Sequence, residues 1–184
     1  KITKSKIEQS LDFTTEEWQK NELNILNKVM KLFNGQLVVV RSSAVGEDTI
    51  EKSEAGNFTS VLNVNSTSKT KLKKSIETVI HSYEKKGRSH SDNQILIQKQ
   101  TRNVKTSGVL FTRTPDIGAP YYIVNFEDGK STDSVTKGLI GNTIKIFRKI
   151  SPKDIPDKWK NLILSVREIE QILGTDLLDV EFAI

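Results

Sequence analysis

Apolar residues recur at helical spacing behind the capping-box pattern Thr14-x-x-Glu17. Trp18, Ile25, Leu26, Val29, Met30 and Phe33 form one stripe, and Asn34-Gly35 supplies the stop. Leu37 to Val40 is a continuous apolar run, which predicts a buried strand. Ser42 to Glu54 is polar and reads as a loop, and Val61 to Val64 as a short strand. Leu72, Ile76, Val79, Ile80 and Tyr83 mark a second helix, closed by Gly87. Strand-like runs follow at Ile95–Ile97, Val109–Phe111 and Tyr121–Val124, and Thr143–Phe147 alternates apolar with polar. A third helix begins at Asp157, with Trp159, Leu162, Ile163, Val166, Ile169, Ile172 and Leu173 inward and Gly174 after it. Leu178 to Ile184 reads as a last strand with Asp179 and Glu181 on one face. The predicted order is α-β-β-α-β-β-β-β-α-β. Neighbouring strands imply antiparallel hairpins, so the fold class is α+β and not a doubly wound sheet.

Composition narrows the chemistry. The 184 residues contain no cysteine, which removes disulfides, thiolate metal sites and a Cys nucleophile and fits a reducing cytoplasm. With only His81 and His90, a histidine-rich metal site or a Ser-His-Asp arrangement is a poor fit. No apolar run reaches a membrane-spanning length, and Lys1 to Lys4 opens no secretory signal. The net charge of +5 suits anionic ligands without naming one. Its densest cluster, Lys69, Lys71, Lys73, Lys74, Lys85, Lys86 and Arg88, surrounds the second helix. No aromatics interleave it and Glu77 and Glu84 interrupt it, so it reads as a solvated face, not a nucleic-acid surface.

Three places have chemistry-bearing patterns. Arg41, directly after the Leu37–Val40 run, opens the segment Arg41-Ser42-Ser43-Ala44-Val45-Gly46-Glu47-Asp48. A guanidinium at a sheet edge binds phosphate in a fork, and the small residues let backbone N–H groups approach an anion. The plainer alternative is a surface arginine before a polar turn. Glu54-Ala55-Gly56-Asn57-Phe58-Thr59-Ser60 suits a flap over phosphates, or an ordinary loop. Asp179-x-Glu181 puts two carboxylates about 6.5–7 Å apart on one strand face, among Leu178, Val180 and Phe182. Such a pair favours a hard cation such as Mg²⁺, or is simply the acidic face of an edge strand. Gln98-Lys99-Gln100, at the end of the Ile95 run, reads as polar residues leaving the core.

In order, these segments resemble the ATP-binding domain of the phosphoenolpyruvate synthase and pyruvate phosphate dikinase family. The resemblance runs through Val38 to Asp48, Ala55-Gly56-Asn57-Phe58, Leu62-Asn63-Val64 and Ile97-Gln98. It continues in Ser107-Gly108-Val109-Leu110-Phe111-Thr112 and the terminal Asp179-Val180-Glu181-Phe182-Ala183. It implies an ATP-grasp fold, with a mixed or antiparallel sheet flanked by helices. Residues 1–36 would be a helical lead-in, the tail of the N-terminal subdomain, and residues 37–184 the nucleotide-binding region. By position, Arg41 would hold phosphates and stabilise the moving phosphoryl group. Gly56 and Ser60 would lie in the phosphate flap, Gln98 at the adenine hinge, and Asp179 and Glu181 at Mg²⁺ and nucleotide.

In this family ATP gives its phosphoryl group to a histidine on a separate domain, and from there to a small-molecule acceptor. Neither His81 nor His90 sits in such a motif, and the Gln and Arg that follow the family's Asp-x-Glu strand would lie beyond Ile184. The expectation is a fragment of a larger phosphotransferase, inactive alone, with that histidine domain as its partner and neither nucleic acid nor membrane. Asn125 to Gly138 departs from the synthase pattern and resembles a branch that includes kinases of amide- or sugar-linked acceptors. The competing class is a non-catalytic nucleotide-binding module of the same fold.

Overall fold

In the computed structural model, residues 2–43, 48–49, 52–53, 59–129 and 141–184 are described. The chain divides into two units, one of Glu8–Thr101 and one of Lys1–Ile7 with Arg102–Ile184. Each unit carries a four-stranded sheet in which every pairing is antiparallel. The α+β class expected from the sequence is what the chain adopts.

The first unit opens with β1 (Ser10–Thr14), a strand that the helical reading of this region overlooked. Leu11 and Phe13 turn towards the core and Asp12 faces away, a period-2 alternation too short to stand out beside the helix signal. Thr14 ends β1 and also caps α1 (Thr15–Phe33). Its hydroxyl accepts from the Glu17 N–H, and the Glu17 carboxylate accepts from the Thr14 N–H at 2.8 Å. Asn34 closes α1 in the left-handed conformation at φ 39°, as the Asn-Gly stop predicts. β2 (Leu37–Ser43) runs three residues beyond the predicted Val40, so Arg41, Ser42 and Ser43 belong to the strand and not to the loop after it. Pairing decides this, because Arg41, Ser42 and Ser43 face Leu96, Ile95 and Gln94 of β6 (Gln94–Lys99). Gln98 likewise lies inside β6. The two-residue strands β3 (Asp48–Thr49) and β4 (Lys52–Ser53) pair with each other.

β5 (Val61–Asn65) joins the sheet edge, and α2 (Lys69–Lys85) follows with Ser68 as its cap. The sheet order is β1-β6-β2-β5. Its buried face supplies Phe13, Val38, Val40, Ile95 and Ile97. Against them pack Trp18, Leu26, Val29 and Phe33 of α1, and Leu72, Ile76, Val79 and Tyr83 of α2.

The second unit orders its strands β10-β7-β8-β9. They are β7 (Thr106–Phe111), β8 (Tyr121–Asp128), β9 (Asn142–Phe147) and β10 (Asp179–Ala183). β8 extends four residues past the predicted Val124, so Asn125 to Asp128 are strand and not turn. α3 (Asp157–Leu173) packs Trp159, Ile163 and Val166 onto Leu110, Tyr122, Val124 and Ile146. The Trp159 ring sits edge-on between Phe126 at 4.6 Å and Phe182 at 6.2 Å. Ile172 and Leu173 were expected inward but are 50% and 60% exposed, because the last turn of α3 runs past the apolar face it covers. The Glu168 carboxylate accepts from the N–H groups of Thr3 and Lys4, which ties the N-terminal residues to α3. No helix among the described residues is long and apolar enough to cross a membrane.

Candidate functional site

In the first unit the strand alternation divides the sheet into a helix-covered face and an opposite face whose residues Val39, Arg41, Leu96 and Gln98 are half-buried. Val38 and Val40 are fully buried, whereas Val39 and Arg41 point to the other side. Register fixes their neighbours there: Arg41 faces Leu96, and Val39 faces Gln98. Arg41 and Gln98 therefore share one face on adjacent strands as a diagonal pair, offset by two positions, a separation of about 7–8 Å that long side chains can span. Asp12 of β1 faces Leu96 from its other side, so Asp12 and Arg41 flank Leu96. The alternation of Leu11, Asp12 and Phe13 was the available signal for Asp12.

The Tyr83 hydroxyl fixes the end of β2. It accepts from the Ser43 N–H at 3.0 Å and donates to the Gln94 carbonyl at 2.6 Å. Ser60, exposed, immediately precedes β5. Two residues into that strand Asn63 takes φ 58°, where β2 and β5 slip register. Its N–H donates to Gln100 Oε1 at 2.7 Å, and Gln100 Nε2 returns a bond to Asn63 Oδ1 at 2.9 Å. Gly56 and most of the expected flap, together with Ala44–Glu47 and residues 130–140, lie outside the described residues.

In the second unit Asp179 and Glu181 project from one face of β10, as the i, i+2 spacing requires. The apolar setting expected for them is not found. Both carboxylates are exposed, while Val180 and Phe182 turn the opposite way into the α3-covered core. Glu181 faces Val109 of β7, and Val109 in turn faces Asn125 of β8. The amide Oδ1 of Asn125 accepts from Thr143 Oγ1 at 2.8 Å. No group of three or more His, Cys, Asp or Glu residues that could hold a metal ion gathers among the described residues. Two carboxylates nevertheless match Mg²⁺, which keeps several waters and takes one or two carboxylates plus phosphate oxygens. At Gly108 a Cβ would lie 2.0 Å from the Asn125 carbonyl, so only glycine allows β7 and β8 this approach.

An arginine–carboxylate network on the α3 side of the same unit went unnoticed in the sequence. Arg113 donates through Nε and a terminal nitrogen to one oxygen of Asp176, at 3.0 and 2.6 Å. Arg148 pairs with Glu170, and its guanidinium lies 4.8 Å from the centre of the Tyr122 ring. The Tyr122 hydroxyl donates to Glu170 at 3.0 Å. Arg113, and more weakly Arg148, hold the Asp176 carboxyl below the usual range, and burial pushes the Tyr122 hydroxyl up. The partners lie 22 to 63 residues apart in the chain, so no local pattern announces them.

The family described as pyruvate phosphate dikinase, AMP/ATP-binding domain, matches residues 14–142. No curated protein matches. PH1788 from Pyrococcus horikoshii Ot3 is 17% identical over 91% of this chain and 71% of its own, with a TM-score of 0.53. The second solved structure is the dinucleotide-forming acetyl-coenzyme A synthetase 1 of Ca. Korarchaeum cryptofilum, in complex with coenzyme A, Ca-AMPCP and HgCl+. It is 14% identical over 80% of this chain, with a TM-score of 0.45, and the chain spans 56% of its length. The two antiparallel sheets with their flanking helices have the α+β, ATP-grasp-like arrangement expected from the sequence.

Proposed function

Because the chain belongs to the pyruvate phosphate dikinase AMP/ATP-binding domain family, we propose that it is the ATP-binding portion of a phosphotransferase of the phosphoenolpyruvate synthase type. The phosphoryl group passes from ATP to a histidine on a separate domain of the full-length protein, and then to a small acceptor. That acceptor is pyruvate-like or an amide- or sugar-linked compound. The family match carries this reading, since residues 14–142 include both Arg41 and Gln98. Asp179 and Glu181 lie outside that span and rest on their geometry and on the sequence resemblance.

Each residue has a physical task. Arg41 carries a permanent charge and a planar fork suited to phosphate oxygens. Tyr83 supports it indirectly by fixing the strand two residues further on. Gln98 offers amide donor and acceptor groups to the adenine edge. Gly56 and Ser60 belong to the flap over the phosphates. Asp179 and Glu181 would hold Mg²⁺, which when bound supplies charge neutralisation at the phosphates. Catalysis of this kind depends on positioning and charge, and a nucleophile within these residues is unnecessary. The absence of cysteine accords with a cytoplasmic site of action.

Calorimetric titration of Mg-ATP into wild type and Arg41→Ala tests the assignment. A lost charge-assisted phosphate contact should weaken binding by about 1.5–3 kcal/mol. Equal affinity would remove Arg41 from the site. In the full-length protein, labelled ATP should yield an acid-labile phosphohistidine. ATP binding without that label would leave a nucleotide-binding module.

A further inference from the structure

We propose that Asn125 and Ser107 donate to the phosphate oxygens of Mg-ATP, on the face of the second sheet that carries Asp179 and Glu181. The inference rests on the ATP reading above and adds two ligand-binding residues to it.

Strand register puts these groups together. Glu181, Val109, Asn125 and Thr143 stand in one row across β10, β7, β8 and β9. In an adjoining row Ala183, Ser107 and Glu127 face one another. Alternation along β7 puts Ser107 and Val109 on one face, so the two rows share it. Ser107 is therefore the diagonal neighbour of both Glu181 and Asn125, a separation of about 7–8 Å in each case. Between Ser107 and Val109 lies Gly108, where a Cβ would come within 2.0 Å of the Asn125 carbonyl, so β8 approaches β7 closely at this point.

Both side chains keep an unused donor. Thr143 Oγ1 donates to Asn125 Oδ1 at 2.8 Å. That bond orients the half-buried amide and leaves its Nδ2 protons without an acceptor among the described residues. An amide held by its oxygen has only donors left to offer. Ser107 is 5% exposed, and its hydroxyl has no hydrogen-bond partner. Such a group costs free energy until a polar atom meets it. The ladder uses only the Ser107 backbone, so pairing alone would be served equally by alanine. Asp179, Glu181 and Glu127 make the face acidic and repel free phosphate. The two donors therefore suit phosphate that arrives with Mg²⁺, the form in which carboxylates accept it.

The test is calorimetric titration of the whole chain with Mg-ATP and with Mg-triphosphate, which lacks sugar and base. Asn125→Asp keeps the oxygen that Thr143 binds and replaces the donor by a negative charge. It should weaken both ligands about tenfold or more. Ser107→Ala should leave thermal unfolding without ligand unchanged or raised, yet weaken both ligands about threefold. A purely structural serine would not separate these two readouts. Should Asn125→Asp fail to fold, Ser107→Ala decides, since it removes only an unpaired hydroxyl. If wild type does not bind Mg-ATP, the ATP reading falls and this inference with it. If wild type binds and either folded variant binds equally well, this inference alone is overturned. A loss confined to Mg-ATP would also overturn it, because the contact would then lie on the sugar or base.

Discussion

Gly108 is the residue with least freedom to change. A methyl group there would meet the Asn125 carbonyl at 2.0 Å, and that atom belongs to a paired strand that cannot retreat alone. Gly108→Ala should cost about 3 kcal/mol or more, measured by urea unfolding. A loss within experimental error would show that β7 and β8 can separate. Asp128, Asp176 and Glu168 act differently. Their folded carboxyls are held low by Lys158, Arg113 and Thr3 respectively. A carboxyl depressed in the folded state adds stability above its unfolded value of about 4, and loses it as pH falls through the lower folded value. The second unit should therefore weaken below about pH 4, and Asp176→Asn should flatten that slope in an acid titration followed by circular dichroism. An unchanged slope would remove Asp176 from the effect. None of these pairings is visible locally, because Arg113 and Asp176 are 63 positions apart.

Elements were legible where a signal repeats over many residues. The capping box, the Asn-Gly stop and the Gly174 stop frame α1 and α3 as the sequence predicts, since each acts within one turn. Strand ends were not legible. Arg41–Ser43 and Asn125–Asp128 are too polar to read as strand, and both are extended because a partner strand already runs beside them. Thr14 serves two elements at once, so Thr14→Ala should cost about 1 kcal/mol in thermal unfolding. The Asn63 kink in β5 makes a second test. Asn tolerates the left-handed region better than a branched residue, and its amide matches Gln100. Asn63→Val should therefore destabilise by about 1–3 kcal/mol, and Asn63→Gly by less. Equal losses would place the stabilisation in the amide pair, which both variants lack, and not in the backbone.

At the scale of the molecule, each unit owns a core. Phe33 lies fully buried in one and Ile163 in the other. Phe33→Ala should cost about 3–5 kcal/mol and lower hydrogen-exchange protection mainly in α1, β2 and β6. Ile163→Ala should act mainly on β7, β8 and α3. Equal loss throughout the chain under either substitution would mean a single cooperative unit. The sequence announced the α+β class but not this division, because residues 2–7 join the second unit through a carboxylate at Glu168.

The alternation in β10 bears on how this chain can drift over generations. Asp179 and Glu181 face outward while Val180 and Phe182 face the core, so the strand has two readings, one the inverse of the other. Losing or gaining one residue between Gly174 and Asp179 would shift the frame of the strand. Both acids would turn inward and both apolar residues outward. Such length changes should vanish from any surviving lineage even though this stretch is a surface turn. Replacements at 179 and 181 would leave the scaffold intact, and a saturation scan scored for abundance should tolerate those two positions and reject polar residues at 180 and 182.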